Sequence, residues 1–351
     1  MPAGNSSKKK PERPAPSAPG EDVFSWAKLF PVDKVNAAMK PKRRAVIDIG
    51  TNSIKLLVGD VSVGIVTPVE ERSEQTRLGA GFYESHLLQS VPIARTASAV
   101  ARFVAMARDH DARSVSVIAT SAARDARNGH ELTDAVRKAS GMRVEIISGD
   151  REAEWVFAGV TSDARLHGRR LMILDVGGGS TEFVLGEGNH HSFRQSFAMG
   201  SVRLLEQLRP GDPPSLLDIA NCREWLRNFF NREMGPTVAS LLGDAARGDV
   251  TLVGTGGTTT ILARMEKRIT DYNRDHIDGT LLSHARVLEF MVHLWSLPLA
   301  ERRRLPGLPA NRADVILMGV AIYEAVMEHF HFPELIVSSR GLRFGALLDP
   351  A

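Results

Sequence analysis

The sequence is poor in cysteine: Cys222 is the only one in 351 residues. That leaves no partner for a disulfide and no thiolate set for a zinc or iron–sulfur centre, and it suits a reducing compartment such as the cytoplasm. No run of about 18 apolar residues occurs, so no membrane-spanning segment is expected. Lys8-Lys9-Lys10 is followed by a proline-rich stretch instead of an apolar one, which excludes a secretory signal of the ordinary kind. No glycine loop ends in Gly-Lys-Ser/Thr, and no Gly-x-Gly-x-x-Gly is present, so neither a Walker A loop nor a dinucleotide fingerprint is available. What remains is an ordinary globular composition, 43% hydrophobic and 24% charged. At about 150 residues per domain it predicts two domains.

The net charge of +3 is unevenly placed. The first 44 residues hold ten Lys/Arg against four Asp/Glu, and seven of the 18 prolines, whereas the rest carries a small negative excess. Residues 1–42 therefore read as a basic, proline-rich, disordered tail, most simply a solubilising extension. Within it Val23-Phe24, Trp26 and Leu29-Phe30 form a short apolar cluster that could dock on the body.

From Ala45 the pattern changes. Ala45–Ile49, Ile54–Val61 and Gly64–Val69 are three short apolar runs joined by Gly and Asn turns, which predicts an antiparallel meander. His86–Arg108 has helical spacing, with Leu87, Val91, Ala94, Ala101 and Val104 on one broad face. Strands at Ser114–Ala119 and Val144–Ile147 and a helix over Arg151–Val160 follow. Then the opening repeats. Leu171–Asp175 is a strand ending in Asp, followed by Gly177-Gly178-Gly179-Ser180-Thr181 and strands at Phe183–Leu185 and Ser192–Phe197. Helices over Val202–Leu208, Leu216–Leu242, Ser283–Leu297 and Asp314–Phe330 come next, with strands at Thr251–Val253 and Leu335–Val337. Two copies of strand, Asp-x-Gly, polar turn and strand mark an internal duplication. It predicts two similar α/β domains, 43–160 and 161–339, with a ligand where strand ends meet in the crevice.

Three donor-rich turns sit at strand ends: Thr51-Asn52-Ser53, Gly177–Thr181, and Gly254-Thr255-Gly256-Gly257-Thr258-Thr259. Bare glycine N–H groups and hydroxyls make an anion nest, and three such turns point to an oligoanionic ligand. Asp175 and Glu182 flank the second turn and Asp48 precedes the first. Carboxylates beside a phosphate nest suit Mg²⁺, which takes oxygen ligands and keeps several waters.

The segments Ile47-Asp-Ile-Gly-Thr-Asn-Ser-Ile-Lys-Leu57 and Asp175-Val-Gly-Gly-Gly-Ser-Thr-Glu182 resemble those of the exopolyphosphatase/guanosine pentaphosphate phosphohydrolase family. Glu74–Gly79, Ala119–Arg124 with Asn128, Ile146–Ala153, Gly254–Gly257, His276 and Pro309–Asp314 continue the similarity, over about residues 43–348. The resemblance implies an α/β fold of two similar domains of the sugar kinase/actin/heat-shock-ATPase (ribonuclease H-like) superfamily, an active-site cleft between them, and a last helix, about 340–351, packing back on the first. It implies cleavage of the terminal phosphoanhydride of inorganic polyphosphate, or of the 5′ phosphate of guanosine pentaphosphate, with Mg²⁺ or Mn²⁺. Glu152 falls on the family's proposed base, Glu182 on its second glutamate, and Asp175 on its metal-associated aspartate; Asp175, Glu182 and Asp48 are the implied metal donors. Thr51, Asn52, Ser53, Arg77, Thr120, Arg124, Gly177, Gly178, Gly179, Ser180, Thr181, Gly256 and Gly257 are the implied phosphate contacts. Phe344 stands where the family more often has an acidic or polar residue. The alternatives are a phosphotransferase to a nucleoside diphosphate and a non-catalytic sensor of polyphosphate or of guanosine penta- and tetraphosphate. No specific nucleic-acid partner is expected, and a homodimer is the base-rate expectation.

Overall fold

The computed structural model describes residues 41–234 and 249–349, with Met1 and Val238. Residues 2–40 of the expected tail, with the apolar cluster at 23–30, lie outside the described residues, and Lys42, the last residue assigned to the tail, already belongs to the first strand.

Three strands, β1 (Lys42–Ile49), β2 (Ile54–Ser62) and β3 (Ile65–Glu74), form the expected meander. Helix α1 (Ser90–Asp109) leads to β4 (Ser114–Ala119), which adds parallel to β1. Helix α2 (Gly129–Ser140), which the sequence reading passed over, leads to β5 (Val144–Ile146), parallel to β4. The first sheet thus runs β3-β2-β1-β4-β5. Helix α3 (Gly149–Thr161) then precedes the second meander, β6 (Arg170–Val176), β7 (Thr181–Glu187) and β8 (His190–Phe197). After α4 (Ser201–Leu208) and α5 (Leu216–Phe229), strand β9 (Thr251–Thr255) pairs parallel to β6 and feeds α6 (Gly256–Lys267). Strand β10 (Leu281–Ser283), helices α7 (His284–Ser296) and α8 (Ile316–His329), strand β11 (Glu334–Val337) and helix α9 (Leu342–Leu348) complete the chain. The second sheet runs β8-β7-β6-β9-β11-β10. Apart from the added edge strand β10, this is the order of the first sheet, so the duplication read in the sequence is a duplication of topology.

Strand alternation sorts the side chains into three cores. Ala45, Ile47 and Ile49 of β1 pack with α1 and α2, while Met172, Leu174 and Val176 of β6 pack with the helices of the second sheet. The alternate residues Val46 and Leu57, and Leu171, Ile173 and Val184, meet in a third core filled by Trp155, Val156, Phe157 and Val160 of α3 and Phe344 and Leu347 of α9. The two sheets therefore share a core between them. The crossing of α3 and α9 is close enough that a Cβ on Gly345 would collide with the backbone of Trp155. The same alternation puts Asp48, Lys55, Asp175 and Glu182 on the faces that look toward the shared core, at its open end.

Two readings of helices need correction. The buried face of α1 is Ile93, Ala97, Val100 and Val104, while Leu87 and Val91 are 43% and 64% exposed and Ala94 is also exposed. The helix starts only at Ser90, because the chain before it is fastened by Asn128, whose side chain accepts from Leu88 N (2.8 Å) and donates to Leu88 O (3.0 Å). A face counted from Leu87 is therefore rotated off the core. The stretch read as one helix over Leu216–Leu242 is α5 followed by a π-helical turn, Phe230–Met234, with the remainder mostly outside the described residues. No described helix is long and apolar enough to cross a membrane.

Candidate active site

The turns β1–β2 and β6–β7 are built alike. Asp48 pairs with Lys55 across the first hairpin and Asp175 with Glu182 across the second. Gly50 N donates to Ser53 O and Gly177 N to Ser180 O, each at 3.0 Å. The two turns face each other and touch. A Cβ on Gly178 would lie 2.9 Å from Thr51 Cβ and 3.3 Å from Asn52 N, and one on Gly179 would collide with the hydroxyls of Tyr83, Ser121 and Thr51. Only glycine permits this approach.

A cavity of about 480 Å³ opens beside the paired turns. Asp48, Thr51, Asn52, Ser53, Thr120, Glu152, Asp175, Gly177, Gly178, Gly179, Ser180, Glu182, Gly256 and Gly257 all line it, so residues spread over more than 200 positions meet in one place. Three implied phosphate contacts do not join them. Thr181 is buried and its hydroxyl donates to Met199 O. Arg77 donates to Asp314 (2.6 Å) and to Asn311 O (3.2 Å) and ties the two lobes together. Arg124 lies in a neighbouring cavity, where it donates to Glu152 at 3.0 Å and to Ile147 O at 3.2 Å. Asn128 serves the α1 entry described above, and His276 is exposed.

The sequence reading also missed cations. Lys55, Arg312 and Arg343 line the cavity, and a Cβ on Gly257 would lie 3.1 Å from an Arg312 guanidinium nitrogen. Lys55 was legible in principle, because strand alternation places it on the same face as Asp48. Phe344 is packed under two guanidinium groups, with Arg274 4.5 Å and Arg340 5.0 Å from the ring centre, so an apolar ring here is held by cation–π contacts.

Burial dominates the electrostatics. Desolvation pushes Asp175 up to about 6, with Lys55 pulling it down and Asp48 pushing it up. Desolvation, then the charge of Asp175, pushes Glu182 up to about 7. Glu152 is raised well above the usual range by desolvation and then by Glu182, against the pull of Arg124. Asp48 is raised and Lys55 lowered, both chiefly by burial, each opposing the other's shift. Four carboxylates held close together, with several hydrogen-bonding atoms unsatisfied, are costly unless something else enters. Asp48 Oδ1, Thr51 Oγ1, Asn52 Nδ2, Ser53 Oγ and Ser121 Oγ are all buried without a hydrogen-bond partner.

These orphaned groups bear on a metal. Among the described residues no set of three or more His, Cys, Asp or Glu is arranged to hold one unaided. Mg²⁺ needs only one or two carboxylates when phosphate oxygens and waters complete its shell. Asp48, with its unpartnered Oδ1, and the half-buried Asp175 fit that requirement. Glu182 is less free, since its Oε1 accepts from Ser196 Oγ at 2.7 Å.

A cleft between two like α/β lobes, floored by opposed donor turns and walled by carboxylates and cations, is the architecture of an enzyme that acts on phosphate groups. Residues 57–351 match the model of the Ppx/GppA phosphatase family, and the chain belongs to that family. It is 32% identical over 324 residues to exopolyphosphatase 2 of Mycobacterium tuberculosis, covering 88% of this chain and 98% of that one. Among solved structures it is similar to the Aquifex aeolicus PPX-GPPA enzyme (30% identity, TM-score 0.71, 88% of this chain and 99% of the other). It is also similar to an exopolyphosphatase from Cytophaga hutchinsonii (26% identity, TM-score 0.78, 87% and 96%). The chain is thus an enzyme, a phosphoanhydride hydrolase.

Proposed function

We propose that the chain is an exopolyphosphatase, releasing the terminal phosphate of inorganic polyphosphate with Mg²⁺. The observation that carries this is the meeting of two opposed donor turns, with their buried unpartnered hydroxyls and amide, and a cluster of carboxylates and cations in one cavity. In this reading the turn N–H groups, Thr51, Asn52, Ser53 and Ser180 hold the phosphates. Lys55, Arg312 and Arg343 offset the charge of the chain. Asp48 and Asp175 provide oxygens for Mg²⁺, with Glu182 beside them, and the metal when bound neutralises charge on phosphate oxygens. Glu152 orients the attacking water and takes its proton; burial and the charge of Glu182 raise its pKa and make it a stronger base than an ordinary carboxylate, and Arg124 holds it in place.

Guanosine pentaphosphate is the second reading, favoured by one feature: the exposed Tyr272 also lines the cavity and offers a ring face for a purine. Polyphosphate is preferred because cations are the more numerous lining groups and the relatives carry the exopolyphosphatase name. The buried thiol of Cys222 suits a cytoplasmic enzyme.

The test is phosphate release from polyphosphate and from guanosine pentaphosphate, each with and without ADP and with and without chelator. Release from polyphosphate that stops with chelator and ignores ADP is the expected result. Nucleoside triphosphate formed from ADP would make the protein a phosphotransferase. Binding of either ligand with no release would make it a sensor.

A further inference from the structure

A second cavity, of about 360 Å³, lies behind the first. Ser121 and Ser180 line both. The partition between them is made of the reactive carboxylates and their holders. Glu152 and Glu182 line the first cavity, whereas Arg124 and Ser196, which hydrogen-bond to them, line the second.

Phosphoryl transfer requires the attacking oxygen opposite the leaving oxygen. With polyphosphate occupying the first cavity, attack comes from the carboxylate side. The water oxygen bonds to the terminal phosphorus, its proton passes to the carboxylate, and the bond to the bridging oxygen breaks with the electron pair staying on the shortened chain. Orthophosphate then stands beside the partition, with the remaining chain between it and the mouth of the first cavity.

We propose that the second cavity is a binding and exit site for this orthophosphate; the inference rests on the hydrolase reading. The donors suit a phosphate dianion. Ser121 is 2% exposed and its Oγ has no hydrogen-bond partner. The first turn of α3 presents Gly149 at the positive end of a 13-residue helix. Arg124 and Arg203 add guanidinium groups, and Arg203 also donates to Gly179 O at 2.8 Å, joining the passage to the glycine turn. Asp125, paired with Arg203 at 2.7 Å, and Asp150 also line the cavity. Carboxylates here oppose retention of a dianion, as an exit requires.

The test narrows the passage at its exposed residues Ala198 and Gln195, with Ala198→Trp and Gln195→Trp made separately. Total phosphate after acid quench reports bond cleavage, and a fluorescent phosphate sensor reports free product, both followed over the first turnover of one reaction on polyphosphate. Cleavage within about twofold of wild type, with free phosphate delayed about tenfold behind it, is the expected result. Partial loss of fold lowers both traces together and cannot create a delay. Free phosphate that keeps pace with cleavage in both variants overturns the exit site while leaving the hydrolase intact. A wild-type protein that cleaves no polyphosphate overturns the exopolyphosphatase reading and this inference with it.

Discussion

The two turns that floor the cleft share a backbone and differ in the side chains at their tips and at the start of the second strand. Position by position, Asp48-Ile-Gly-Thr-Asn-Ser-Ile-Lys55 lies over Asp175-Val-Gly-Gly-Gly-Ser-Thr-Glu182, with the same strand register and the same Gly-to-Ser hydrogen bond. The first turn carries Thr51 and Asn52 where the second carries Gly178 and Gly179. The cause is packing where the two turns meet. Where the turns touch there is room for the side chains of one, and a Cβ on the other would be driven into them. The strand ends differ in charge, since Lys55 stands where the second hairpin has Glu182. That inversion lets a cation sit against Asp48 and Asp175 while the negative charge gathers toward Glu152. Duplication supplied the frame, and divergence at positions 51/178 and 52/179 made one half a donor of side chains and the other a bare backbone cradle.

The largest effect is expected from a residue outside both turns. Glu152→Gln keeps size and reach but loses basicity, and should lower kcat by roughly 10²–10⁴ with polyphosphate binding retained. Near-wild-type turnover would move the base to Glu182 and make the second hairpin, not α3, the source of the reactive group. Removing the inverted charge comes next. Lys55→Met should cost roughly 10² in kcat/KM, because Asp48 and Asp175 lose their cation and the substrate loses a counter-charge; an unchanged value would mean that Lys55 only satisfies the carboxylates.

The steric asymmetry can be tested by exchange. Gly178→Val should destabilise the protein by about 1–3 kcal/mol, the usual cost of overpacking, and Thr51→Gly in the same chain should recover part of it. Additive losses in denaturant titrations would show that the turns do not press on each other. The smallest effect concerns stability against pH without ligand. Glu182 has a folded value of about 7 against 4.5 ordinarily, so the folded state binds the proton more tightly than the unfolded one. Its penalty is fully present above pH 7 and relieved as pH falls toward 4.5. Glu182→Gln should therefore raise Tm at pH 8 and have little effect near pH 4.5. An equal change at both would trace the effect to packing. Glu152 must lose its proton to act as the base, and its raised pKa predicts activity that falls off on the acid side at a higher pH than an ordinary carboxylate would give.

Much of the site was legible because it is local. The residues of each donor turn lie within eight positions of one another, and glycine-rich turns at the ends of short apolar runs declare themselves. The antiparallel meander and its repetition followed from the two similar runs of short strands. What was not legible depends on partners far away in the chain. Arg77 looked like a phosphate clamp, but its partner Asp314 is 237 positions off. Arg124 was matched to phosphate, and the structure shows its guanidinium donating to Glu152, 28 positions away. Asn128 was matched to a phosphate segment and instead fastens the entry to α1, which displaced the helical face counted from Leu87.

The amino-acid sequence by itself determined two copies of a strand–turn–strand unit, the donor groups on each turn and the acidic residues at their ends, since period-two alternation and turn chemistry act over a few residues. Only the tertiary structure decided that the copies face each other at contact distance, that Lys55 opposes Asp48 and Asp175, and that a second cavity backs onto the carboxylates. Those features come from α3 and α9 packing both sheets onto one shared core, and such packing is a property of the whole chain.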